Sequence, residues 1–398
     1  MRELAQALMP HLMVAPVLLP LLAACLLMLV SERRHRTKAT LGLLATAANL
    51  VVAVLLVFWV KAEDEPSAFG IYLPSNWDVP YGIALVLDRL SALMLVMTAL
   101  VALMALLFSL ARWHKAGAHF HPLFQIQIMG LNGAFLTGDL FNLFVFFEVL
   151  LIASYGLLLS GGRGLQMRSG LQYVAFNITA STLFLVALGF IYGLTGALNM
   201  AELAHRIGQV AAEDAAPLKA AGGLLLVVFC AKAALLPLYF WLPETYARSP
   251  AAVAAMFAIM TKLGVYAVLR VFSLVFGAEA GALAGLAWPW LLPLGAATLV
   301  LATLGALAAP SLRLLAAYLV LGSAATLFIA LGLASAEAVG AGLYYLMHST
   351  LVGGALFLLA DLVRKQRDNA GDSLRKFDQM GPKALLGSLF LVAALSVA

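Results

Sequence analysis

The stretch LLLVVFCAKAALLPLYFWLP, residues 224–243, sets Lys232 in the middle of an apolar run, five residues before Pro237. About 20 apolar residues is the length that crosses a ~30 Å hydrocarbon layer. A charge at the centre of that layer costs at least ~2.5 kcal/mol on the mildest scales. Lys232 therefore needs a partner, a water-filled path or a job. Pro237 sharpens the demand. It has no N–H to donate, so a helix running through it leaves the carbonyl of Ala233 without its partner. Backbone freed in this way survives at membrane depth only where it is buried in protein or lines water. The expectation is a helix broken at Pro237 with a hydrated polar junction beside Lys232. An ordinary proline kink is the plainer alternative.

Working outward, the 398-residue chain is 64% hydrophobic and only 11% charged, which places it among polytopic membrane proteins. Apolar spans are predicted at 8–30, 39–60, 84–110, 122–138, 140–160, 171–193, 221–242, 251–276, 284–309, 313–334 and 340–363, with a twelfth beginning at Ala384. The first run is long and its basic residues, SERRHRTK, follow it, so it reads as a retained helix rather than a signal peptide. Cys25 and Cys230 both fall in apolar helix and give no sign of a disulfide or a metal site. No HExxH, Walker loop, GxSxG or paired CxxC occurs, so no cofactor or metal is expected and soluble-enzyme chemistry has little support.

The net charge of +5 reads as topology once the basic residues are placed. The loops at 31–38, 111–121, 161–170, 243–250, 310–313 and 364–383 hold sixteen Lys/Arg, and the opposite side holds four: Arg2, Lys61, Arg206 and Lys219. Basic loops face the cytoplasm, which puts the N-terminus outside and makes KAEDEPSAFGIYLPSNWDVPYG an acidic outer loop. The charge is no footprint of nucleic acid.

Four basic residues remain: Arg89, Lys232, Lys262 and Arg270. Arg89 and Arg270 lie near helix ends, where long side chains reach water by snorkelling. The lysines lie deeper. Lys232 is ~17 Å into its span, Lys262 is similarly deep from the other side, and Glu148 is ~12 Å into DLFNLFVFFEVLLIASYGLLL. His348, in YYLMHSTLVGGALFLLA, is a fourth polar group at that depth. Each could be a satisfied structural residue. An acid and two lysines on three helices at one depth point instead to an ion or proton path. Burial disfavours the charged form of a lysine and a nearby carboxylate favours it. At ~7 Å and an effective dielectric of ~20 that attraction is worth ~2.4 kcal/mol, enough to act as a switch. Asp88 and Asp139 (in TGDLF) read as helix-start residues, Asp139 as a cap.

At these residues the chain resembles a known family. FLTGDLFNLFVFFEVLLIASYGLLLSGG, AKAALLPLYFWLPETYARSPAAVAAMFAIMTKLGVYAVLRVF and YYLMHSTLVGGALFLLADLV look like the D subunits of the Mrp-type multisubunit cation/proton antiporters, also called Mnh, Sha or Pha. Those subunits are similar to the antiporter-like proton-pumping subunits of respiratory complex I. The likeness runs from about residue 80 onward. It matches Glu148 to the family's fifth-helix glutamate, Lys232 to its broken seventh-helix lysine and Lys262 to the eighth-helix lysine that links the two halves. It implies an all-α polytopic membrane protein, an antiporter-like fold of two inverted five-helix repeats with broken helices. The parts would be 1–110, helices 1–3; 111–276, the first repeat and proton-conducting half-channel; and 277–398, an incomplete second repeat. The chain differs in two ways. HSTLVGG lacks the lysine often found after the eleventh-helix histidine, and the run to Ala398 suggests a C-terminal truncation relative to the family.

The resemblance implies a subunit that moves protons through a Glu148–Lys232–Lys262 relay, with His348 beyond, in exchange for Na+ or K+. Its partners would be the other subunits of a hetero-oligomeric antiporter complex and the lipid bilayer, with no nucleic acid. Its place would be the plasma (inner) membrane of a bacterium. Two other readings stay open: a proton-pumping subunit of complex I or of a membrane-bound hydrogenase, and a structural scaffold subunit.

Overall fold

The computed structural model describes residues 11–62, 69–111, 117, 119–160, 164–211, 213–367, 371–374 and 384–397. Arg2 and parts of the basic stretches 111–121, 161–170 and 364–383 lie outside the described residues.

The chain is an all-α polytopic membrane protein. Its helices are α1 (Ala15–Leu29), α2 (His35–Ala62), α3 (Arg89–Ser109), α4 (Phe120–Leu136), α5 (Leu140–Leu159), α6 (Leu165–Thr195) and α7 (Met200–Ile207). They continue with α8 (Ala215–Lys232), α9 (Trp241–Arg248), α10 (Ala251–Leu274), α11 (Trp288–Ala308), α12 (Leu312–Gly332), α13 (Ala336–Gln366) and α14 (Ala384–Val397). Among the described residues nine helices are long and apolar enough to cross a membrane; α1 and the Leu386–Ser396 part of α14 are shorter apolar helices, and α4 has 17 residues.

Two local features were not expected, and a third, the break in the seventh span, begins earlier than Pro237. The span read as 84–110 begins as a strand: Leu85–Leu87 (β2) pairs antiparallel with Gly70–Tyr72 (β1), Ile71 opposite Val86. Asp88 then starts α3 through a capping box, taking the Ser91 N–H at 2.8 Å while its own N–H bonds Ser91 Oγ at 2.8 Å. The loop at 194–220 contains α7, which buries Met200, Leu203 and Ile207 at helical spacing. Arg206 of α7 bonds Glu202 at 2.6 Å and donates to the Thr195 carbonyl at the end of α6. Finally, the span 221–242 is two helices, α8 and α9, separated by residues 233–240.

The chain forms two compact units, 1–161 with 179–228 and 270–286, and 162–178 with 229–269 and 287–398. In the first unit α4 and α5 pack backbone to backbone. A Cβ on Gly130 would sit 2.7 Å from Leu150 Cβ and 2.8 Å from its backbone N, so only glycine fits there, and one on Gly133 would strike the Phe146 ring. In the second unit Tyr173, Phe176, Trp241, Tyr246 and Phe257 form a chain of ring contacts around α9.

Candidate functional site

Glu148 belongs to the first unit. Asp139 caps α5, accepting the Asn142 N–H at 2.8 Å, and Glu148 follows nine residues on. Its half-buried carboxylate accepts a hydrogen bond from the buried hydroxyl of Ser181 on α6. Phe147 and Phe144 pack edge-on against Phe184, one turn beyond Ser181, and hold the two helices together there.

Lys232, Lys262 and His348 belong to the second unit. The broken helix ends at Lys232, five residues before Pro237, and the reason is local. Leu235 N–H bonds the Cys230 carbonyl at 2.8 Å and Ala234 N–H bonds the Ala231 carbonyl at 3.1 Å. These two bonds make a Schellman cap, with Ala234 in the left-handed conformation at φ 60°. Lys232 is therefore the last residue of α8, where the partial negative charge of the helix end favours a cation. The segment beyond is tied down rather than loose. Leu236 N–H bonds Thr298 Oγ1 at 2.9 Å, and the Trp241 indole N–H reaches back to the Ala231 carbonyl at 3.1 Å. Lys232 itself is 5% exposed.

Lys262 lies on α10, whose apolar window is almost wholly buried. Its side chain is fully buried and its Nζ donates to Ser323 Oγ on α12. Ser323 passes a hydrogen bond on to the Val320 carbonyl at 2.7 Å. The same hydroxyl borders a cavity of about 20 Å³ shared with His348, Tyr345 and Ser349. One water needs ~10–15 Å³ on this measure, so the cavity has room for one. Two residues past Lys262, Gly264 meets the break: a Cβ there would lie 2.7 Å from Ala233 N. The helices of the two lysines thus touch within two residues of each charge. Gly353 and Gly354, in HSTLVGG, let α13 approach Val320 and Ala255 and bring His348 to this side.

The two hydroxyls, Ser181 and Ser323, are what the sequence reading missed. The available signal was a serine inside an apolar helix, and it is weak because helices hold such serines by back-bonding to their own carbonyls. The arginine expected to snorkel does not. Arg270 pairs with Asp88 in a two-pronged bond, Nη2 to Oδ1 at 2.8 Å. Burial raises the Asp88 carboxyl, but Arg270 and the bonds from Ser91 outweigh it and hold the group below its ordinary value. The pair borders a cavity of about 770 Å³ in the first unit, with Arg89, Thr137 and Asn199.

Known proteins share the sequence and the fold. The family described as NADH:quinone oxidoreductase/Mrp antiporter, TM, matches residues 137–398. The D subunit of a probable K(+)/H(+) antiporter of Rhizobium meliloti (strain 1021) is 43% identical, over 98% of this chain and 76% of its own length. The D subunit of the Na(+)/H(+) antiporter of Alkalihalophilus pseudofirmus is 35% identical, over 98% of this chain and 77% of its own. The solved Mrp complex from Dietzia sp. DQ12-45-1b contains a chain that superposes with a TM-score of 0.78 at 31% identity, covering 88% of this chain and 64% of that one. On the extent of the sequence match and the shared fold, the chain belongs to the NADH:quinone oxidoreductase/Mrp antiporter transmembrane family.

Proposed function

We propose that the chain is a subunit of a multisubunit monovalent cation/proton antiporter, and that Glu148, Lys232 and Lys262 carry its protons at membrane mid-depth. The observation that carries this reading is Lys262: a fully buried lysine whose named partner is a neutral hydroxyl, beside a cavity with room for water. A lysine kept only for structure is better served by a carboxylate, because an uncompensated buried charge is costly. A lysine that gains and loses a proton is served by a hydroxyl. In the transfer, Ser323 Oγ takes the proton from Nζ while its own proton turns from the Val320 carbonyl to a cavity water, and from there reaches His348. Lys262 is left neutral until a proton arrives from the Lys232 side, where α10 and the broken helix touch. Glu148 would set the charge state at the head of the path.

The names of the relatives support antiport over the other readings and support partner subunits, and their bacterial sources together with the membrane spans support a bacterial plasma (inner) membrane. They do not choose the ion, since one is named for potassium and the other for sodium. The sixteen-to-four division of basic residues supports an N-terminus on the outer side. The relatives' family also includes redox-driven pumps, and an operon of redox subunits would favour that alternative.

The test is Lys262→Arg beside Lys262→Ala in the assembled complex, in vesicles, with cation-triggered dissipation of a pH gradient as the readout. Arginine keeps the charge but does not release its proton. Both variants are expected to lose exchange at normal complex levels. Near-normal exchange by Lys262→Arg would make this lysine an electrostatic prop.

A further inference from the structure

Away from Glu148, the first unit buries a second run of polar side chains. Lys38, Gly42, Thr46 and Asn49 follow one face of α2, and His121, Gln125 and Asn132 follow one face of α4. All six side chains are 3% exposed or less. The faces meet: Gln125 Nε2 donates to the Gly42 carbonyl at 3.0 Å and to Thr46 Oγ1 at 2.9 Å. The His121 ring lies against Gly42, where a Cβ would come 3.3 Å from Nδ1. Helix α1 closes the third side. Pro20 leaves the Pro16 carbonyl without a helical donor, and Asn132 Nδ2 supplies one at 2.8 Å.

Four atoms in this run have no hydrogen-bond partner among the described residues: Asn49 Nδ2 and Oδ1, Gln125 Oε1 and Asn132 Oδ1. Buried polar atoms without a protein partner are ordinarily met by ordered water. A bare cation would serve the three oxygens but not the Asn49 amide hydrogens, whereas water serves both.

The run has one open and one closed end. At the open end Lys38 bonds Glu32 at 2.7 Å, and the Glu32 side chain is 46% exposed, on the side of the basic loops. At the other end Ala53 and Leu136, each four residues beyond the last polar group of its helix, join an apolar cluster with Met13, Leu56 and Leu95. From His121 to Asn132 the rise is ~16 Å, about half of a ~30 Å hydrocarbon layer. Packing of α4 on α5 sets the level of the inner end. Gly130 meets Leu150 and Gly133 meets Phe146, so Asn132 stands level with Glu148.

We propose that α1, α2 and α4 enclose a water-filled half-channel, entered beside Lys38 and His121, ending at Asn132 and Asn49, and feeding protons from the basic-loop side to the level of Glu148. His121 suits the mouth, since an imidazole can take a proton on one ring nitrogen and release one from the other. The half-channel stands on the packing of the first unit alone. Only its use as a feed rests on the proposed role of Glu148.

The test uses silver ion, a thiol reagent close to water in size, on vesicles of the whole complex with Cys25 and Cys230 replaced. Silver is applied to one face at a time, and thiols left unreacted are then counted with maleimide after denaturation. Thr46→Cys and Asn49→Cys are expected to lose their maleimide labelling after silver on the basic-loop face, while Ala53→Cys and Leu56→Cys keep theirs from either face. Thr46→Cys removes one methyl group and exchanges oxygen for sulfur, a smaller change than Asn49→Cys, so it reports even if Asn49→Cys does not assemble. Thr46→Cys and Asn49→Cys as inert as Leu56→Cys, or reacting only from the opposite face, would overturn the half-channel. The feed is tested separately: Asn49→Leu is expected to lower the exchange rate, and an unchanged rate removes that role. Glu148→Gln should leave silver access intact, so full exchange in that variant would count against the relay and not against the water path.

Discussion

Gly264→Ala adds one methyl group where α10 crosses the break between α8 and α9. The new Cβ would lie 2.7 Å from Ala233 N and 2.8 Å from Ala233 Cβ. Carbon atoms rest at ~3.5–4.0 Å, so the helices must part by roughly 0.7–1.2 Å. Both obstructing atoms lie on or next to the backbone of a capped segment, and no flexible side chain can swing aside. Overpacking of this kind costs about 1–3 kcal/mol. Parting these helices also moves the backbone that carries Lys262 relative to the one that carries Lys232, and a shift near 1 Å in a transfer geometry can slow a reaction by ~100-fold. The helical glycines Gly189 and Gly223 give the control, because a Cβ on either meets nothing within 4 Å. There alanine should stabilise, by up to ~1 kcal/mol of helix propensity. Thermal unfolding of the purified complex and exchange in vesicles are measured for all three variants. The expected pattern is loss of stability and of exchange in Gly264→Ala alone. If Gly264→Ala unfolds no earlier than Gly189→Ala and exchanges at the wild-type rate, the close contact between the two lysine helices has no functional weight.

Ala234→Gly should raise the unfolding midpoint, since an alanine held in the left-handed conformation costs ~1–2 kcal/mol and glycine does not; a lower midpoint would mean the Schellman cap is not what ends α8. Asp88→Asn keeps a capping oxygen but strips Arg270 of its counter-charge, at a cost of about 1–3 kcal/mol after allowing for partial exposure, read as an earlier unfolding midpoint; an unchanged midpoint would dismiss the pair. The Asp88 carboxyl is held below its ordinary value of 3.8, so its stabilisation is complete above that value and is lost as pH falls through the lower folded one. Wild type should therefore show an acid-induced loss that Asp88→Asn lacks, and identical acid profiles would refute this. Single cysteines replacing Ser31 and the exposed Tyr81 should label with an impermeant maleimide from opposite faces; labelling from one face would break the proposed orientation.

Much of this fold was legible because a membrane makes length and hydropathy decisive. Apolar runs near 20 residues mark helices with little dependence on what packs against them. The deep charges stood out for the same reason, since Glu148, Lys232 and Lys262 each interrupt such a run. The break at Pro237 was legible as an event but misplaced along the chain. Proline kinks or breaks a helix by removing one of its hydrogen bonds, yet α8 stops already at Lys232, because the Ala234 cap lies upstream and an alanine gives no warning of a left-handed turn. The seam of Thr46, Asn49, Gln125 and Asn132 escaped notice for the opposite reason. Neutral amides and hydroxyls barely lower the hydropathy of a helix, so only their facing one another reveals them.

Arg270 shows why such pairs resist a reading from sequence. Its place near the end of α10 predicts a side chain stretched toward water, and that inference weighs hydration against nothing else. Asp88 stands 182 residues earlier, where its neighbours announce only a helix cap. Folding brings the two carboxylate oxygens into the fork of the guanidinium, with Asp88 already oriented by its two bonds to Ser91. A pre-oriented partner removes much of the entropy cost that makes surface ion pairs weak. The contact therefore outcompetes water for the same group. One residue thus serves twice: the carboxylate that starts α3 also anchors the end of α10. Because α10 carries Lys262 eight residues before Arg270, an anchor at its end limits how far the helix can slide along its axis. Cutting the anchor with Asp88→Asn should lower the exchange rate as well as the unfolding midpoint. A variant that loses stability but exchanges at the wild-type rate would show that α10 is held in place by its buried packing alone.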